Sequence, residues 1–238
     1  MSQPRFFVSR ACEPGEEVAL DPADVRHAAV VLRLREGDRV TLAAEGSLWS
    51  AELTAIGRDA ASARVLQAAG ERSCELPIDV AILQALPKGL KFDVVVEKCV
   101  ELGARRIIPV ICARSLSAAN RPKIERWRRI ARAAAQQSRR LWIPMVEDAT
   151  PWEQAVARHA GLLVAFEGAP ARSLAAALKR RQAERAFAIA VGPEGSFTPE
   201  ELAAAKDAGA DLVSLGPSIL RTETAAAALL AALASRYW

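Results

Sequence analysis

The chain has 238 residues, 32 of them Lys or Arg and 28 Asp or Glu, for a formal net charge of +4. A hydrophobic fraction of 51% with 25% charged residues excludes a disordered chain. No apolar run reaches the ~18 residues that a membrane helix needs. The start, Met1-Ser-Gln-Pro-Arg-Phe-Phe7, has no secretory apolar region, so a cytoplasmic location is expected. Four cysteines without a CxxC pair and two histidines, His27 and His159, exclude a disulfide framework and a zinc site, so no metal is expected. The charge is unevenly spread: residues 121–140 hold eight basic residues and one acid, a local +7, which points to an anionic partner.

In chain order, the first 72 residues read as mostly strand. Arg5–Ser9, Arg39–Ala43, Leu48–Ile56 and Ala63–Leu66 are strand-like, broken at Glu45-Gly46 and Gly57-Arg58-Asp59. One helix interrupts them, with Asp21 as N-cap and Pro22 at its first position. Short strands with one helix predict a small β-barrel. From about Glu75, apolar strands alternate with helices: strands 78–83, 106–111, 162–166, 187–191 and 212–215, and helices 91–102, 123–140, 152–159, 173–185, one capped by Thr198, and 222–235. This alternation predicts an α/β domain with a parallel sheet covered on both faces. The boundary falls within residues 70–77, which divides the chain into domains 1–72 and 73–238.

Four segments carry chemistry-bearing residues. Val191-Gly-Pro-Glu-Gly-Ser-Phe-Thr-Pro-Glu-Glu201 follows a buried strand and opens a capped helix; it matches neither a dinucleotide fingerprint nor a P-loop, and reads equally as a turn or as a ligand loop. Leu215-Gly-Pro-Ser-Ile-Leu-Arg-Thr-Glu-Thr224 also leaves a strand and enters a helix. Thr222 as N-cap and Glu223 favoured by the helix dipole account for two of its residues, but Arg221 is a cation at the unfavourable end and points to a ligand or partner. The two loops end strands that are candidates to be neighbours, with one pocket between them. The helix 123–140 places Ile124, Trp127, Ile130, Ala131, Ala134 and Ala135 on a core face. It spreads Arg128, Arg129, Arg132, Arg139 and Arg140 over the rest, a pattern for phosphate binding. Lys88 and Lys91 lie at a strand-to-helix junction as candidates for RNA or substrate contact, beside a surface ion-pair set of Glu97, Lys98 and Glu101.

Gly192-Pro-Glu-Gly195 followed by Leu215-Gly-Pro-Ser-Ile-Leu-Arg-Thr-Glu-Thr-Ala225 resembles the cofactor-binding end of SPOUT-class methyltransferases. Four further pieces narrow the resemblance: His27…Val31-Leu-Arg-Leu34, Lys88-Gly…Lys98…Glu101-Leu-Gly103, Arg114-Ser-Leu-Ser117 and Arg126-Trp127…Gln137-Ser-Arg139. In this order they resemble the ribosomal RNA small subunit methyltransferase E family nearly end to end. Ser196 departs from it, standing where the family commonly has a second glycine.

The resemblance implies a PUA-like RNA-binding β-barrel followed by a SPOUT α/β domain whose C-terminal chain forms a trefoil knot. It implies a homodimer that binds S-adenosylmethionine and methylates a uridine at N3 in 16S rRNA, as naked RNA or within the small ribosomal subunit. Phe166, Gly192, Pro193, Glu194, Gly195, Leu215, Gly216, Leu220, Thr222 and Thr224 would hold the cofactor. Arg221 would stabilise the developing uracil anion, and Glu223 would orient Arg221 or assist proton transfer. Arg26 and Arg33 of the barrel join Lys88, Lys91 and the helix arginines as expected RNA contacts. The competing readings are a non-catalytic RNA-binding ribosome-assembly factor and a SPOUT ribose 2′-O-methyltransferase.

Overall fold

A computed structural model describes residues 3–70, 73–159, 161–168 and 171–237. The chain falls into two compact units, Met1–Glu75 with Ala135–Ile143, and Leu76–Ala134 with Pro144–Trp238. Residues 71 and 72, within the stretch where the sequence suggests a boundary, lie outside the described residues.

The first unit contains β1 (Arg5–Val8), β2 (Glu17–Ala19), α1 (Pro22–Arg26), β3 (Arg39–Ala44), β4 (Ser47–Ile56) and β5 (Ala61–Ala68). The strands form one sheet in the order β1-β3-β4-β5-β2, with β1 parallel to β3 and the remaining pairs antiparallel. Among the described residues β1 and β2 do not pair, so the expected barrel is an open sheet at the level of hydrogen bonds. Strand alternation puts Phe6, Val18, Val40, Leu42, Ala51, Leu53, Ala63 and Val65 in one core, which Val25 and Ala28 cover. Asp21 caps α1 by accepting from Ala23 N at 2.9 Å. The helix then widens: residues His27–Val31 form a π turn, with Leu32 N donating to His27 O at 2.9 Å. The consecutive β-branched Val30 and Val31 are stiff at χ1 and disfavour a regular helical turn; both are exposed here.

The second unit contains β6 (Asp79–Ala85), α2 (Lys91–Glu101), β7 (Arg106–Ile111), most of α3 (Arg121–Gln137), β8 (Met145–Val146), β9 (Thr150–Pro151), α4 (Trp152–Arg158), β10 (Leu163–Ala165), β11 (Arg172–Ser173), α5 (Leu174–Arg180), β12 (Ala186–Val191), α6 (Pro199–Asp207), β13 (Asp211–Ser214) and α7 (Thr222–Ala234). The sheet runs β11-β13-β10-β12-β6-β7-β8, with β9 also on β7, and every pair is parallel. One buried cluster joins β6, β7, β10 and β12 to α4 and α6 through Leu83, Ile108, Val110, Trp152, Val156, Val164, Ala190 and Ala205, with Phe197 of the loop before α6. On α7, Leu229, Leu230 and Leu233 are fully or nearly fully buried, and the helix packs on α2 and β12.

Two helices differ from their expected limits for identifiable reasons. The helix α5 ends at Arg180 because Arg181 leaves helical geometry, pairing with Asp211 at 2.9 Å and donating to Gly161 O. The helix α3 begins two residues early, where Asn120 Oδ1 accepts from Lys123 N at 3.2 Å. It ends at Gln137, before Arg139 takes a left-handed φ of 59°. The segment 135–143 then packs within the first unit, where the Arg140 side chain is 2% exposed. Its guanidinium meets the Glu75 carboxylate, with Nη2 at 2.7 Å from Oε2, and Leu141 N donates to the same carboxylate at 2.7 Å. Arg140 is therefore not part of an RNA-facing surface: a guanidinium enclosed with its carboxylate has no route to a phosphate.

Candidate functional site

The site is built where the C-terminal ends of the parallel strands open into loops, the usual ligand position in such sheets. The first loop, residues 192–198, leaves β12. It is held at its far end by a capping box: Glu201 N donates to Thr198 Oγ1 at 3.2 Å and Thr198 N to Glu201 Oε2 at 2.8 Å. The buried Glu201 also accepts from Ala113 N at 2.7 Å, tying the loop after β7 to this one. Gly192 is closely packed, since a Cβ there would sit 3.1 Å from the Phe197 ring, which would have to shift by a few tenths of an ångström. Phe197 in turn stacks on Trp152, ring centroids 4.5 Å apart.

The second loop, residues 215–221, leaves β13 and enters α7. Gly216, at φ +142°, occupies a backbone region that side chains rarely adopt, and a Cβ there would meet nothing within 4 Å. Thr222 is the first helical residue and Arg221 its cap position, so the hydroxyl is not a cap. It donates instead to Gly192 O at 2.7 Å, binding the two loops to each other, and accepts from Gln84 Nε2 at 2.8 Å. The strands that carry these loops are not neighbours as expected: β10 lies between them, and its end contributes a third loop beginning at Phe166. A chain of local patterns cannot show which strand intervenes in a parallel sheet.

Two cavities follow. One, about 190 Å³, is lined by Phe166, Leu215, Gly216, Leu220 and Leu229. The other, about 600 Å³, is lined by Lys91, Gly192, Pro193, Glu194, Ser196, Ile219, Leu220, Arg221 and Thr222. They share Ala165, Glu167, Leu220 and Ala225, so they adjoin. Lys91 Nζ lies 2.7 Å from Glu194 Oε1, and Lys88 N donates to the same oxygen at 3.2 Å. Partial desolvation pulls the Glu194 carboxyl up, but these hydrogen bonds outweigh it and hold the group below the ordinary carboxylate range. The exposed Arg221 guanidinium makes no ion pair or hydrogen bond with a described residue.

The structure thus brings Phe166, Gly192, Pro193, Glu194, Leu215, Gly216, Leu220, Arg221, Thr222 and Lys91 to the cavity lining. It does not bring Gly195, Thr224 or Glu223 there. Gly195 instead accepts from Arg114 Nη1 at 2.7 Å. Glu223 forms no pair with Arg221, and its Oε2 is buried without a partner. Of the basic residues, Arg26, Arg33, Lys88, Arg129 and Arg139 are exposed and Arg132 is partly so. Arg128 is tied to Asp148 at 3.0 Å and to Val146 O, which leaves it less available to a phosphate. Sequence reasoning missed Gln84, although a glutamine inside the apolar run 78–86 is a legible signal. It placed Glu201 in the capped loop segment and Arg114 in the family resemblance, but not their contacts to Ala113 N and Gly195 O. Among the described residues there is no cluster of three or more His, Cys, Asp or Glu able to hold a metal, and no helix long and apolar enough to cross a membrane.

Comparison with known proteins accords with this geometry. A family described as RNA methyltransferase domain matches residues 74–234, and one described as RNA methyltransferase PUA domain matches residues 20–66. Ribosomal RNA small subunit methyltransferase E of Synechocystis is 36% identical over 219 residues, 90% of this chain and 71% of that one. The protein of the same name from Mycobacterium bovis is 35% identical over 240 residues, 96% of this chain and 90% of that one. Among solved structures, ribosomal RNA small subunit methyltransferase E from Neisseria gonorrhoeae, bound to S-adenosyl methionine, superposes with a TM-score of 0.90. It is 32% identical, covering 99% of this chain and 98% of that one. With a parallel sheet ending in these loops and relatives aligned over nearly its whole length, the chain is an RNA methyltransferase and belongs to the ribosomal RNA small subunit methyltransferase E family.

Proposed function

We propose that this enzyme transfers a methyl group from S-adenosylmethionine to N3 of a uridine in the 16S rRNA of the small ribosomal subunit, with Arg221 as the group that stabilises the uracil anion. The observation that carries this is the position of Arg221, a cation without a partner among the described residues, at the cavity bounded by both loops. The cofactor fits the residues present. The smaller cavity has apolar walls at Phe166, Leu215, Leu220 and Leu229 and polar groups at Ser214 and Ser218, a mixture suited to a base with hydrogen-bonding edges, and Gly216 keeps the space beside it free of a side chain. Phe166, Gly192, Leu215, Gly216 and Leu220 would hold the adenosine part, and Pro193, Glu194 and Thr222 would shape the loop around the rest. When bound, the cofactor supplies a sulfonium-activated methyl group.

The chain's own task is to make N3 a nucleophile. The N3 lone pair becomes available only when its proton leaves, so the negative charge that then develops on O2 and O4 needs a fixed cation. An arginine guanidinium suits this because it stays protonated and donates through a planar fork. The base must be unpaired to reach it. Exposed Arg26, Arg33, Lys88 and Arg129 supply phosphate contacts that position the RNA. Residues 1–72 form the PUA-like RNA-binding domain and 73–238 the catalytic domain. The packing of α7 against α2 and β12, after two long loops, supports a C-terminal trefoil knot. The exposed Ile219 on the cavity lining, together with exposed Leu90 and Val94 at the start of α2, supports a homodimer. The enzyme acts in the cytoplasm, where its RNA is made.

The test is incubation of the purified protein with S-adenosylmethionine and small subunits lacking the mark, followed by nucleoside mass spectrometry. 3-Methyluridine is expected; a 2′-O-methyl product or no transfer overturns the reading. Arg221→Ala should lower the single-turnover rate by about 10²–10³-fold, the loss typical of one charge-stabilising donor, with RNA affinity changed less than about threefold. A collapse of RNA binding instead would move Arg221 from chemistry to positioning.

A further inference from the structure

Gln84 is the only buried glutamine among the described residues, 0% exposed on β6 in the middle of the sheet. Its backbone is in register with Val191, the residue before Gly192, on one side and with Pro109 on the other. Burying an amide in such a place is costly unless it is hydrogen-bonded. Nε2 donates to Ala85 O at 2.9 Å and to Thr222 Oγ1 at 2.8 Å. The orientation is unambiguous, because a carbonyl can only accept and so the amide nitrogen must face it. With its lone pair engaged by Gln84, the Thr222 hydroxyl directs its single hydrogen to Gly192 O, 2.7 Å away. Gln84 Oε1 is left buried with no partner.

The result is a one-way relay, amide to hydroxyl to carbonyl, from a rigid strand through the end of the second loop to the start of the first. A leucine or methionine at position 84 would bury well and leave no orphaned oxygen, so stability alone does not account for a glutamine. We infer that Gln84 is a positioning residue: through Thr222 it fixes the spacing of the two cavity loops and the start of α7, and so aims the neighbouring Arg221. This rests on the proposed function only for its catalytic consequence; the ordering of the loops does not depend on it.

Two readouts separate these parts. Hydrogen exchange on the protein without added ligand follows amides of residues 192–197 and 216–222 in Gln84→Met, Thr222→Val, Thr222→Ser and the double variant Q84M/T222V. Gln84→Met and Thr222→Val should each speed exchange in both loops about tenfold, Thr222→Ser should remain within about twofold of the parent, and the double variant should be no worse than either single change. Exchange unchanged in Gln84→Met, or confined to one loop, or effects that multiply in the double variant, overturns the relay. A global loss of protection would mean a structural role only and also overturns it. In the second readout, Gln84→Met should raise the dissociation constant for S-adenosylmethionine about tenfold and lower kcat further, with unchanged RNA affinity. If the parent protein itself neither binds S-adenosylmethionine nor transfers a methyl group, the functional reading fails while the exchange result still decides the relay.

Discussion

A single residue shows how the site balances charge. Glu194 sits on the cavity wall with Lys91 Nζ at 2.7 Å, and its carboxyl is held below the ordinary carboxylate range. A group with a depressed folded value contributes stability that is complete above the unfolded value and is lost as the pH falls through the folded one. The loop 192–198 should therefore keep its protection at neutral pH and lose part of it as the pH drops below the usual carboxylate range. Both side chains are about one-third exposed, so the contribution is below about 1 kcal/mol. The difference in exchange rate between the parent and Glu194→Gln, followed downward from pH 7, should persist to about pH 4 and shrink only below the ordinary carboxylate range. A difference that grows on acidification would refute this assignment. Ser196 in the same loop holds a left-handed φ of 61°, a conformation more natural to the glycine that the family commonly has there.

At the scale of elements, the loops are legible only at their helical ends. Thr198, Pro199 and Glu201 spell out a capping box, and the structure contains it. The same Glu201 carboxylate reaches Ala113, 88 positions earlier, a link that no local pattern contains. Glu201→Ala should lose both functions, a cap of about 1 kcal/mol and a charged hydrogen bond of about 1.5–3 kcal/mol. A fall in unfolding free energy of about 2.5–4 kcal/mol in urea is expected, with Glu201→Gln recovering part of it. Equal stability of the alanine variant and the parent would show that the cap carries nothing. The strands that escaped the sequence reading, β2, β8, β9 and β11, have only two or three residues each, too short for a period to register. The place of β10 between β12 and β13 is likewise set by pairing between distant segments. Gln84 is visible as a polar residue in an apolar run, but its meaning depends on Thr222, 138 positions later.

At the scale of the molecule, the arginine-rich stretch that dominates the charge pattern divides between two tasks. Arg129 is exposed and partnerless among the described residues, whereas Arg140 is enclosed with Glu75. A helical spacing of arginines reads the same in both cases, because the left-handed Arg139 that ends the pattern leaves no mark in composition. Glu75 accepts both from the enclosed Arg140 and from Leu141 N, and removing one member of an enclosed ion pair costs about 3–5 kcal/mol. Glu75→Ala should lower the unfolding free energy of the first unit by that amount, measured by urea denaturation followed at a first-unit probe such as Trp49. A change below about 1 kcal/mol would mean that the pair is solvated in solution.

The Glu75–Arg140 pair also orders events in time. Its partners lie 65 positions apart, and a ribosome adding about 5–20 residues per second needs roughly 3–13 s to travel that distance. Through that interval the first 75 residues have emerged without the segment that completes their unit, while Leu76–Ala134 of the second unit is being made. The N-terminal unit therefore cannot finish folding until Ala135–Ile143 has been made, when Leu76–Ala134 of the second unit is already present and Pro144–Trp238 is still to come.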